Sequence, residues 1–396
     1  MQECLVPISG LDLKTQQQLK YSTFFIDEHI ADVYEKNGSL VIEHDSDDQE
    51  IAQKVGRLIE RFTEHEFVFK ENILFRNSCE VPYKDNIIEA LKARRIVREL
   101  ESGIFTFREP FTTILRFFDH RFVSKIGRAF NVTEEYYPVV IQVDTLNKTS
   151  HFTSFPEHIQ FVMHLREDLD VIDLFANDVR THGGLDSSMN INTSRNMRPP
   201  GHAINPATCY HCYEALQDET VEGDGKAVTA VSKAHRYESK NHRDFGRLLD
   251  FTMREIIFVG TPAYVKENRT KSLNLLMELV KEWELDCFIE NANDPFFTND
   301  YKVKASFQRL QDMKYELRMN IPYLGRSIAV SSSNFHSNTF GKAFNITAGR
   351  RPAATGCLAF GLERWVFSFL AQYGLDEAKW PKQLHSDWVE WRNQNV

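Results

Sequence analysis

The segment Ala354–Arg364 reads ATGCLAFGLER, an apolar stretch with two glycines that ends in a charged pair. Much earlier in the chain, Arg236–Glu238 (RYE) stands before a polar loop, after which Arg247–Glu255 reads RLLDFTMRE. The pattern predicts two β strands joined by that loop, then a glycine-rich third strand that leads into a helix from about 362 to 373. These segments, taken in this order, decide the fold of the larger part of the chain.

Together, the two segments resemble motifs two and three of the catalytic domain of class II aminoacyl-tRNA synthetases. Two matches in this order and spacing are far more specific than either match alone. The resemblance implies an α+β fold, with a class II synthetase-type antiparallel sheet flanked by helices and a smaller N-terminal α/β region. It also implies an enzyme, a ligase that uses ATP to activate the carboxylate of an amino acid.

The charged and aromatic residues of these motifs are the predicted catalytic and ATP-binding residues. Attack of a carboxylate on ATP brings two anions together, and the arginine fork is suited to hold and neutralise their oxygens. By resemblance, Arg236 clamps the α-phosphate and the substrate carboxylate, and Arg364 lies over the γ-phosphate. Glu238 would accept a hydrogen bond from the adenine amino group, Phe251 would stack on adenine, and Arg247 would meet the outer phosphates. The alternative is that the charged residues only form surface ion pairs.

A further ATP contact is predicted just before motif three. Lys314–Leu317 and Ser327–Asn334 resemble the paired strands that precede motif three in seryl-tRNA synthetases, where a carboxylate helps to hold a metal on ATP. Ile328 stands at that place here, so Glu316 is the remaining carboxylate nearby. Mg²⁺ is therefore expected with ATP, and Glu316 is a candidate ATP-binding residue. The alternative for the serine run is an ordinary strand end with turn-forming residues.

The six cysteines of the chain are scattered, which does not indicate a disulfide framework. Cys209 and Cys212 form a CYHC sequence, but a zinc ribbon needs a second close pair and the sequence has none. If no family resemblance is considered, the simplest interpretation of free cysteines such as Cys357 is that they are small buried residues.

Four stretches together narrow the resemblance: Pro206–Glu214 (PATCYHCYE), the RYESK that begins at Arg236, Phe251–Glu255 (FTMRE) and Ile328–Asn334 (IAVSSSN). They resemble the amino acid:[carrier protein] ligases, homologues of the atypical zinc-dependent seryl-tRNA synthetases. That resemblance implies a catalytic zinc on Cys209, Glu255 and Cys357. Three protein ligands leave one position of a tetrahedral Zn²⁺ for the α-amino group of the amino acid. Cys212 is the alternative first ligand.

The function expected from this resemblance has two steps. A small amino acid is activated with ATP as an aminoacyl adenylate and is then transferred to the phosphopantetheine thiol of an acyl or peptidyl carrier protein. One alternative is a seryl-type aminoacyl-tRNA synthetase, and another is a synthetase paralogue without catalytic activity. Retention of the arginines and of Glu238 argues against the last alternative, because a scaffold does not need an ATP clamp.

The charge and composition of the chain indicate whether tRNA or a membrane is expected as a partner. The formal net charge is −9, whereas a tRNA-binding protein usually carries a basic arm or stripe. Residues 1–150 also lack the sustained heptads of a coiled-coil tRNA arm. Both observations argue against tRNA as a partner. The start of the chain lacks the basic and apolar regions of a signal peptide, and no apolar run has membrane-spanning length. A cytoplasmic protein without a membrane partner is expected.

The 396 residues are expected to divide into an N-terminal α/β region of unclear role, 1–135, and a synthetase-like catalytic domain, 136–396. A homodimer is expected through motif one, near a strand predicted at Val171–Phe175. Residues 183–204 are expected to form a loop that closes over the site. Lys302 and Lys304 are candidate carrier-binding residues, and the alternative for them is a plain solvated helix.

Overall fold

The computed structural model describes residues 1–63, 72–185, 196–243, 245–292 and 313–395. The helices are α1 (Leu13–Thr23), α2 (Asp48–Thr63), α3 (Ile87–Ala93), α4 (Phe111–Lys125), α5 (Val143–Lys148), α6 (His151–Ser154), α7 (Leu169–Thr181), α8 (Cys209–Ala215), α9 (Pro262–Glu282), α10 (Thr339–Ala343), α11 (Leu362–Tyr373) and α12 (Lys382–Asn395). The strands are β1 (Gln2–Pro7), β2 (Ile30–Lys36), β3 (Ser39–His44), β4 (Ile73–Asn77), β5 (Val97–Glu101), β6 (Ile104–Phe107), β7 (Thr133–Tyr136), β8 (Val140–Gln142), β9 (Phe161–Val162), β10 (His202–Ile204), β11 (Thr220–Val221), β12 (Gly225–His235), β13 (Asp250–Gly260), β14 (Cys287–Asn291), β15 (Lys314–Ile321), β16 (Arg326–Phe335), β17 (Thr347–Ala348), β18 (Arg351–Pro352) and β19 (Ala354–Gly361).

The centre of the molecule is an eight-stranded sheet in the order β4-β14-β15-β16-β19-β13-β12-β7. Its neighbouring strands are antiparallel except at one edge of the sheet, where β7 runs parallel to β12. The longest strands, β12 and β13, are the two predicted strands of motif two, and β19 with α11 is the predicted strand and helix of motif three. The motifs are therefore adjacent in the middle of the sheet.

One face of this sheet is covered by α4, α9, α11 and α12, which share its main hydrophobic core. Phe122 of α4 stacks on Phe360 of β19, with ring centroids 4.1 Å apart and planes within 9°. Burial of each such side chain stabilises the fold by roughly 1.5–3 kcal/mol. Helix α11 is buried along its length except at Arg364, which is only partly covered. The packing thus holds the predicted motif-three arginine at the start of a fixed helix.

Strand alternation decides which side chains reach the other face. On β13, Ile256 and Phe258 belong to the main core, whereas Ile257 belongs to a second cluster on the opposite face. Cys357 pairs with Ile257, and Glu255 pairs with Ala359, two positions further along β19. Because successive strand residues alternate between faces, Glu255 and Cys357 lie diagonally opposite on the same side of the sheet.

A separate small module precedes the sheet domain. Strands β1, β3 and β2 form a three-stranded antiparallel sheet, and α1 and α2 pack on it around a core of residues between 4 and 62. The next elements join the large sheet instead, because β4 pairs with β14 and α4 lies in the main core. The change of core falls between residues 63 and 73, so the division predicted at 135/136 does not coincide with the packing.

The strand predicted at Val171–Phe175 is wrong, because these residues lie in α7. Asp168 caps this helix by accepting a hydrogen bond from the backbone N–H of Asp170. Local capping and apolar residues at helical spacing outweigh the β-branched residues of the segment. Helix α7 contains no buried residue, and Leu169 is 77% exposed. Homodimer formation through this region stays a prediction.

Two other predictions fall wholly or partly outside the described residues. Lys302 and Lys304 lie in the undescribed range 293–312, and most of the predicted closing loop lies in 186–195. At the end of that loop, β10 pairs with β8 and β9. No helix within the described ranges is long and apolar enough to cross a membrane.

Candidate active site

A cavity of about 640 Å³ opens over the middle of the large sheet, on the face opposite the main core. Strands β13, β15, β16 and β19 and helix α8 contribute to its wall, together with Arg236 and Glu238, which follow β12. The predicted catalytic, ATP-binding and metal-binding residues on described parts of the chain all line this cavity: Cys209, Arg236, Glu238, Arg247, Phe251, Glu255, Glu316, Cys357 and Arg364. Residues from distant parts of the sequence are thereby brought to one site.

At one end of the cavity, Cys209, Glu255 and Cys357 form a compact cluster. Their ligand atoms all lie within 4.8 Å of one another, close enough to bind one ion. Cys209 is the first residue of α8, and Glu255 and Cys357 come from the adjacent strands β13 and β19. Each of the three side chains is buried. The tertiary fold therefore assembles two thiols and a carboxylate around one point.

The electrostatics of this cluster favour a bound cation. Burial raises the pKa of the Glu255 carboxyl. Contact with Cys357, and then burial, raises the pKa of the Cys209 thiol. Among the described residues, Oε2 of Glu255 is a buried oxygen without a hydrogen-bond partner. Two thiolates and a carboxylate are a donor set that Zn²⁺ accepts, and a divalent charge offsets the cost of burying them. The residues present fit a zinc ion with three protein ligands.

Cys212 is directed elsewhere. It is fully buried and is not a member of the three-residue cluster. Burial raises the pKa of its thiol to about 12, and Tyr137 is its hydrogen-bonding neighbour. Cys209 and Cys212 lie three positions apart on α8, but only Cys209 lines the cavity. The geometry thus selects Cys209 as the first candidate ligand.

The other end of the cavity holds charged groups that already pair with each other. Arg247 donates from Nη1 to Oε2 of Glu238. Burial alone would raise the pKa of the Glu238 carboxyl, but Arg247 and Arg364 lower it to about 2. Burial also lowers the pKa of Arg364 to about 10, so its guanidinium stays protonated at neutral pH. A polyanionic ligand would add the negative charge that these arginines can bind.

Arg236 lies between the two ends. Its guanidinium carbon is 5.5 Å from the centre of the Phe251 ring, and its Nε donates to the Pro206 carbonyl at 3.0 Å. Its charge also lowers the pKa of Glu255, against the larger effect of burial. The side chain is thereby placed where one arginine can reach both the candidate metal end and the candidate nucleotide end.

Glu316 also lines the cavity, where it is enclosed by cations. Lys314 lies 3.1 Å and Arg318 lies 3.2 Å from its carboxylate oxygens. Ile328, at the place where the resemblance expects a carboxylate, lines the same cavity and offers no oxygen. A Mg²⁺ ion on Glu316 would compete with two ion pairs, so the chain's own donor set fits Mg²⁺ poorly unless ATP supplies most of the oxygens.

Glu363 has a structural role that differs from a surface ion pair. It is 1% exposed, and its carboxylate accepts from the backbone N–H and the hydroxyl of Thr252, both at 2.7 Å. The start of α11 is thus tied to the start of β13. This contact fixes Arg364 relative to Phe251, the residue that neighbours Thr252.

Several cavity residues were not found by sequence reasoning: Tyr21, His151, His158, Tyr210 and His336. Apart from Tyr210, which lies within the quoted stretch Pro206–Glu214, none of them belongs to a quoted motif, because they come from separate helices and loops that meet only in the folded chain. His151 Nδ1 lies 3.1 Å from the hydroxyl of Tyr210, which immediately follows Cys209. That adjacency to a predicted ligand was the one signal available in the sequence, and it concerned Tyr210 alone.

Two relatives among known proteins are type-2 serine–tRNA ligases. The ligase of Methanothermobacter thermautotrophicus is 25% identical over 362 residues, which cover 89% of this chain and 67% of the relative. That of Methanococcus aeolicus is 27% identical over 309 residues, which cover 76% of this chain and 58% of the relative. The chain thus spans 58% to 67% of the length of these two relatives. No protein-family model matches it.

Solved structures show the fold. Seryl-tRNA synthetase of M. kandleri, solved in complex with A. aeolicus tRNASec, has a TM-score of 0.72 at 20% identity and covers 92% of this chain and 74% of its own. Pyrococcus horikoshii seryl-tRNA synthetase complexed with ATP has a TM-score of 0.59 at 13% identity, covering 86% of this chain and 81% of its own. The predicted α+β fold with a class II synthetase-type antiparallel sheet is confirmed.

These comparisons correct the expectations about partners. The expectation that tRNA is not a partner is contradicted, because the relatives are named as tRNA ligases and the M. kandleri synthetase was solved with tRNA. It failed because net charge describes a whole chain and does not report a local patch. The relatives are homologous ligases named for serine and tRNA, and none of the comparisons supports transfer to a carrier protein.

Proposed function

We propose that this chain activates serine with ATP to form seryl adenylate and transfers the seryl group to tRNA. The observation that carries the proposal is one cavity with two chemically different ends. A cluster suited to a metal and an amine lies at one end, Arg247 and Arg364, suited to phosphates, lie at the other, and Arg236 lies between them. The names of the relatives supply serine and tRNA as the candidates to test first.

The residues of the cavity suggest how the reactants would be held. A zinc ion on Cys209, Glu255 and Cys357 would supply a Lewis-acid contact for a free α-amino group. Arg236 would then hold the carboxylate beside the α-phosphate and offset the charge of both. Holding two reactants in line in this way converts an encounter between anions into a reaction within one complex.

At the nucleotide end, the chain's own groups would bind and orient ATP. Arg247 and Arg364 would receive the outer phosphates, and Glu238, ionised at any pH above about 2, would accept from the adenine amino group. Glu238 begins paired with Arg247, so ATP binding must share or replace that ion pair. Phe251 offers an aromatic face for the base, next to Arg236.

The proposal is tested first by ATP–pyrophosphate exchange with each amino acid in turn. We expect exchange with serine well above exchange with alanine, glycine or threonine. Absence of exchange with every amino acid would contradict adenylate formation. Exchange with a different small amino acid would retain activation and reject serine.

The acceptor is then tested by incubating the chain with ATP and labelled serine, together with either tRNA transcripts or a holo carrier protein. We expect label to be recovered on tRNA of the serine type. Loading of the phosphopantetheine thiol and none of tRNA would instead support the carrier-protein function predicted from the sequence resemblance. The adenylate is a reactive mixed anhydride, so an acceptor nucleophile held close to it is sufficient for transfer.

A further inference from the structure

We propose that the small N-terminal module is part of the ATP site, with Tyr21 of α1 as a positioning residue for Arg247 and Glu238. This inference rests on the proposed function and deepens it, because it assigns the module to adenylate formation. The sequence alone leaves the role of this N-terminal region unclear.

The first observation is the position of Tyr21. It belongs to the module, yet it lines the cavity together with the motif-two residues. Its side chain is only 7% exposed, and the guanidinium carbon of Arg247 lies 4.4 Å from the centre of its ring. At this distance the face of the ring attracts the cation, and the attraction strengthens where water is excluded. Tyr21 therefore restrains the arginine predicted to meet the outer phosphates.

The second observation is a set of backbone contacts between the module and the loop that follows Glu238. Nδ2 of Asn241 donates to the carbonyl of Tyr21 at 3.2 Å and to the carbonyl of Glu238 at 2.9 Å. Lys240 donates to the carbonyl of Ile30 at the start of β2. Asn241 thus bridges the module and Glu238, the residue predicted to bind the adenine amino group, so the module and the loop are held together.

The third observation concerns charge. Tyr21 is hydrogen-bonded through its side chain to Glu238. Burial, and then the charge of Glu238, raises the pKa of Tyr21, so its hydroxyl stays neutral and donates to the carboxylate. The same tyrosine thus contacts both members of the Arg247–Glu238 ion pair, one through its ring and one through its hydroxyl. Fixing both groups before ATP arrives reduces the ordering cost of binding.

The experiment separates positioning from mere packing. Tyr21→Leu keeps apolar bulk but removes the ring and the hydroxyl, whereas Tyr21→Phe keeps the ring. In pyrophosphate exchange we expect Tyr21→Leu to raise KM for ATP about tenfold, as for loss of a desolvated cation–π contact, and to leave KM for serine unchanged. Tyr21→Phe, which keeps the ring and loses only the hydrogen bond to Glu238, should raise KM for ATP less than Tyr21→Leu does.

Tyr34→Leu is the matched control, because Tyr34 lies on β2 of the same module and does not line the cavity. It should leave both KM values unchanged. An unchanged KM for ATP in a folded Tyr21→Leu variant would overturn the inference. Equal rises in KM for ATP and serine would overturn it too, since they indicate general loosening of the site.

Failure of the proposed function is distinguishable from failure of this inference. If the wild type shows no exchange with any amino acid, the affinity for ATP alone is measured by equilibrium dialysis. A weaker affinity in Tyr21→Leu than in the wild type and Tyr34→Leu would then still support a nucleotide site shared with the module. Equal affinities in the three proteins would reject it.

Discussion

The pKa values of the carboxyl groups at the two ends of the cavity are shifted in opposite directions. Glu255, beside two thiols, has its pKa raised by burial, whereas Glu238, beside two arginines, has its pKa lowered to about 2 although it is also buried. The difference is one of neighbours, because both side chains are almost fully removed from water. The Glu255 end is therefore suited to an added cation, and the Glu238 end to an added anion.

Under the proposed function, this contrast would keep the amine of one reactant and the phosphates of the other at different ends of the cavity. With the proposed divalent ion bound, two thiolates and one carboxylate would leave the Cys209 end with a net negative charge, which would disfavour phosphate. The arginines at the other end repel an ammonium group. Arg236, between the two, is positioned to contact the carboxylate of one reactant and the phosphate of the other. The order of the proposed reactants in the cavity would then follow from the charges of its walls.

The largest effect is expected from breaking the connection between the two ends. Arg236→Ala should reduce the pyrophosphate exchange rate by at least about 10²–10³-fold, the loss typical of removing one donor that stabilises charge in a transition state. Arg98→Ala, on an exposed strand position away from the cavity, is the control and should keep the wild-type rate. Exchange near the wild-type rate in Arg236→Ala would remove this residue from the reaction.

The metal-binding role proposed for the Glu255 end can be tested by measuring the zinc content of the purified protein. Zinc should copurify at about one ion per chain, because three protein ligands form one tetrahedral site with an open position. Cys357→Ala should lose both the zinc and the exchange activity. Cys212→Ala should retain both, although its buried position will lower thermal stability by an amount that differential scanning fluorimetry can measure. Active protein without zinc by elemental analysis would reject the metal site.

A smaller effect is expected from neutralising the carboxylate of Glu238. Glu238→Gln removes an acceptor and leaves Arg247 without its ion pair, so KM for ATP should rise about tenfold, while KM for serine stays near the wild type. Because the pKa of Glu238 is about 2, this group should contribute no pH dependence to exchange between pH 5 and 8. A titration in that range that disappears in Glu238→Gln would contradict the stated ionisation.

The smallest effect concerns Glu157, which lies next to this end. Burial raises the pKa of its carboxyl to about 7, above the ordinary value for glutamate. The folded state therefore binds its proton more tightly than the unfolded state, so this group makes stability fall as the pH rises from about 4.5 to 7. Glu157→Gln should raise the melting temperature at pH 8 relative to the wild type and change it little at pH 4.5. An equal effect at both pH values would contradict the shift.

The sequence predicted the centre of the molecule better than its periphery. Glu255 and Cys357 could be placed together because a resemblance named them and strand alternation puts them on one face. The strand predicted at Val171–Phe175 was wrong because a short apolar segment with β-branched residues does not distinguish a strand from a helix. The cap at Asp168 favours the helix. Tyr21 could not be found at all, because its contact with Arg247 joins residues that no local pattern connects.

The diagonal placement of Glu255 and Cys357 has a consequence for how the length of this gene can vary. One residue inserted or deleted within β13 before Glu255 would turn its carboxylate to the opposite face, into the helices of the main core. Two residues would restore the face but displace the carboxylate by about 7 Å along the strand. Insertions and deletions between Arg236 and Glu255 should therefore be confined to the loop at 239–249. Alignment of homologous genes, or a scan of engineered length variants, would show such a boundary at Asp250.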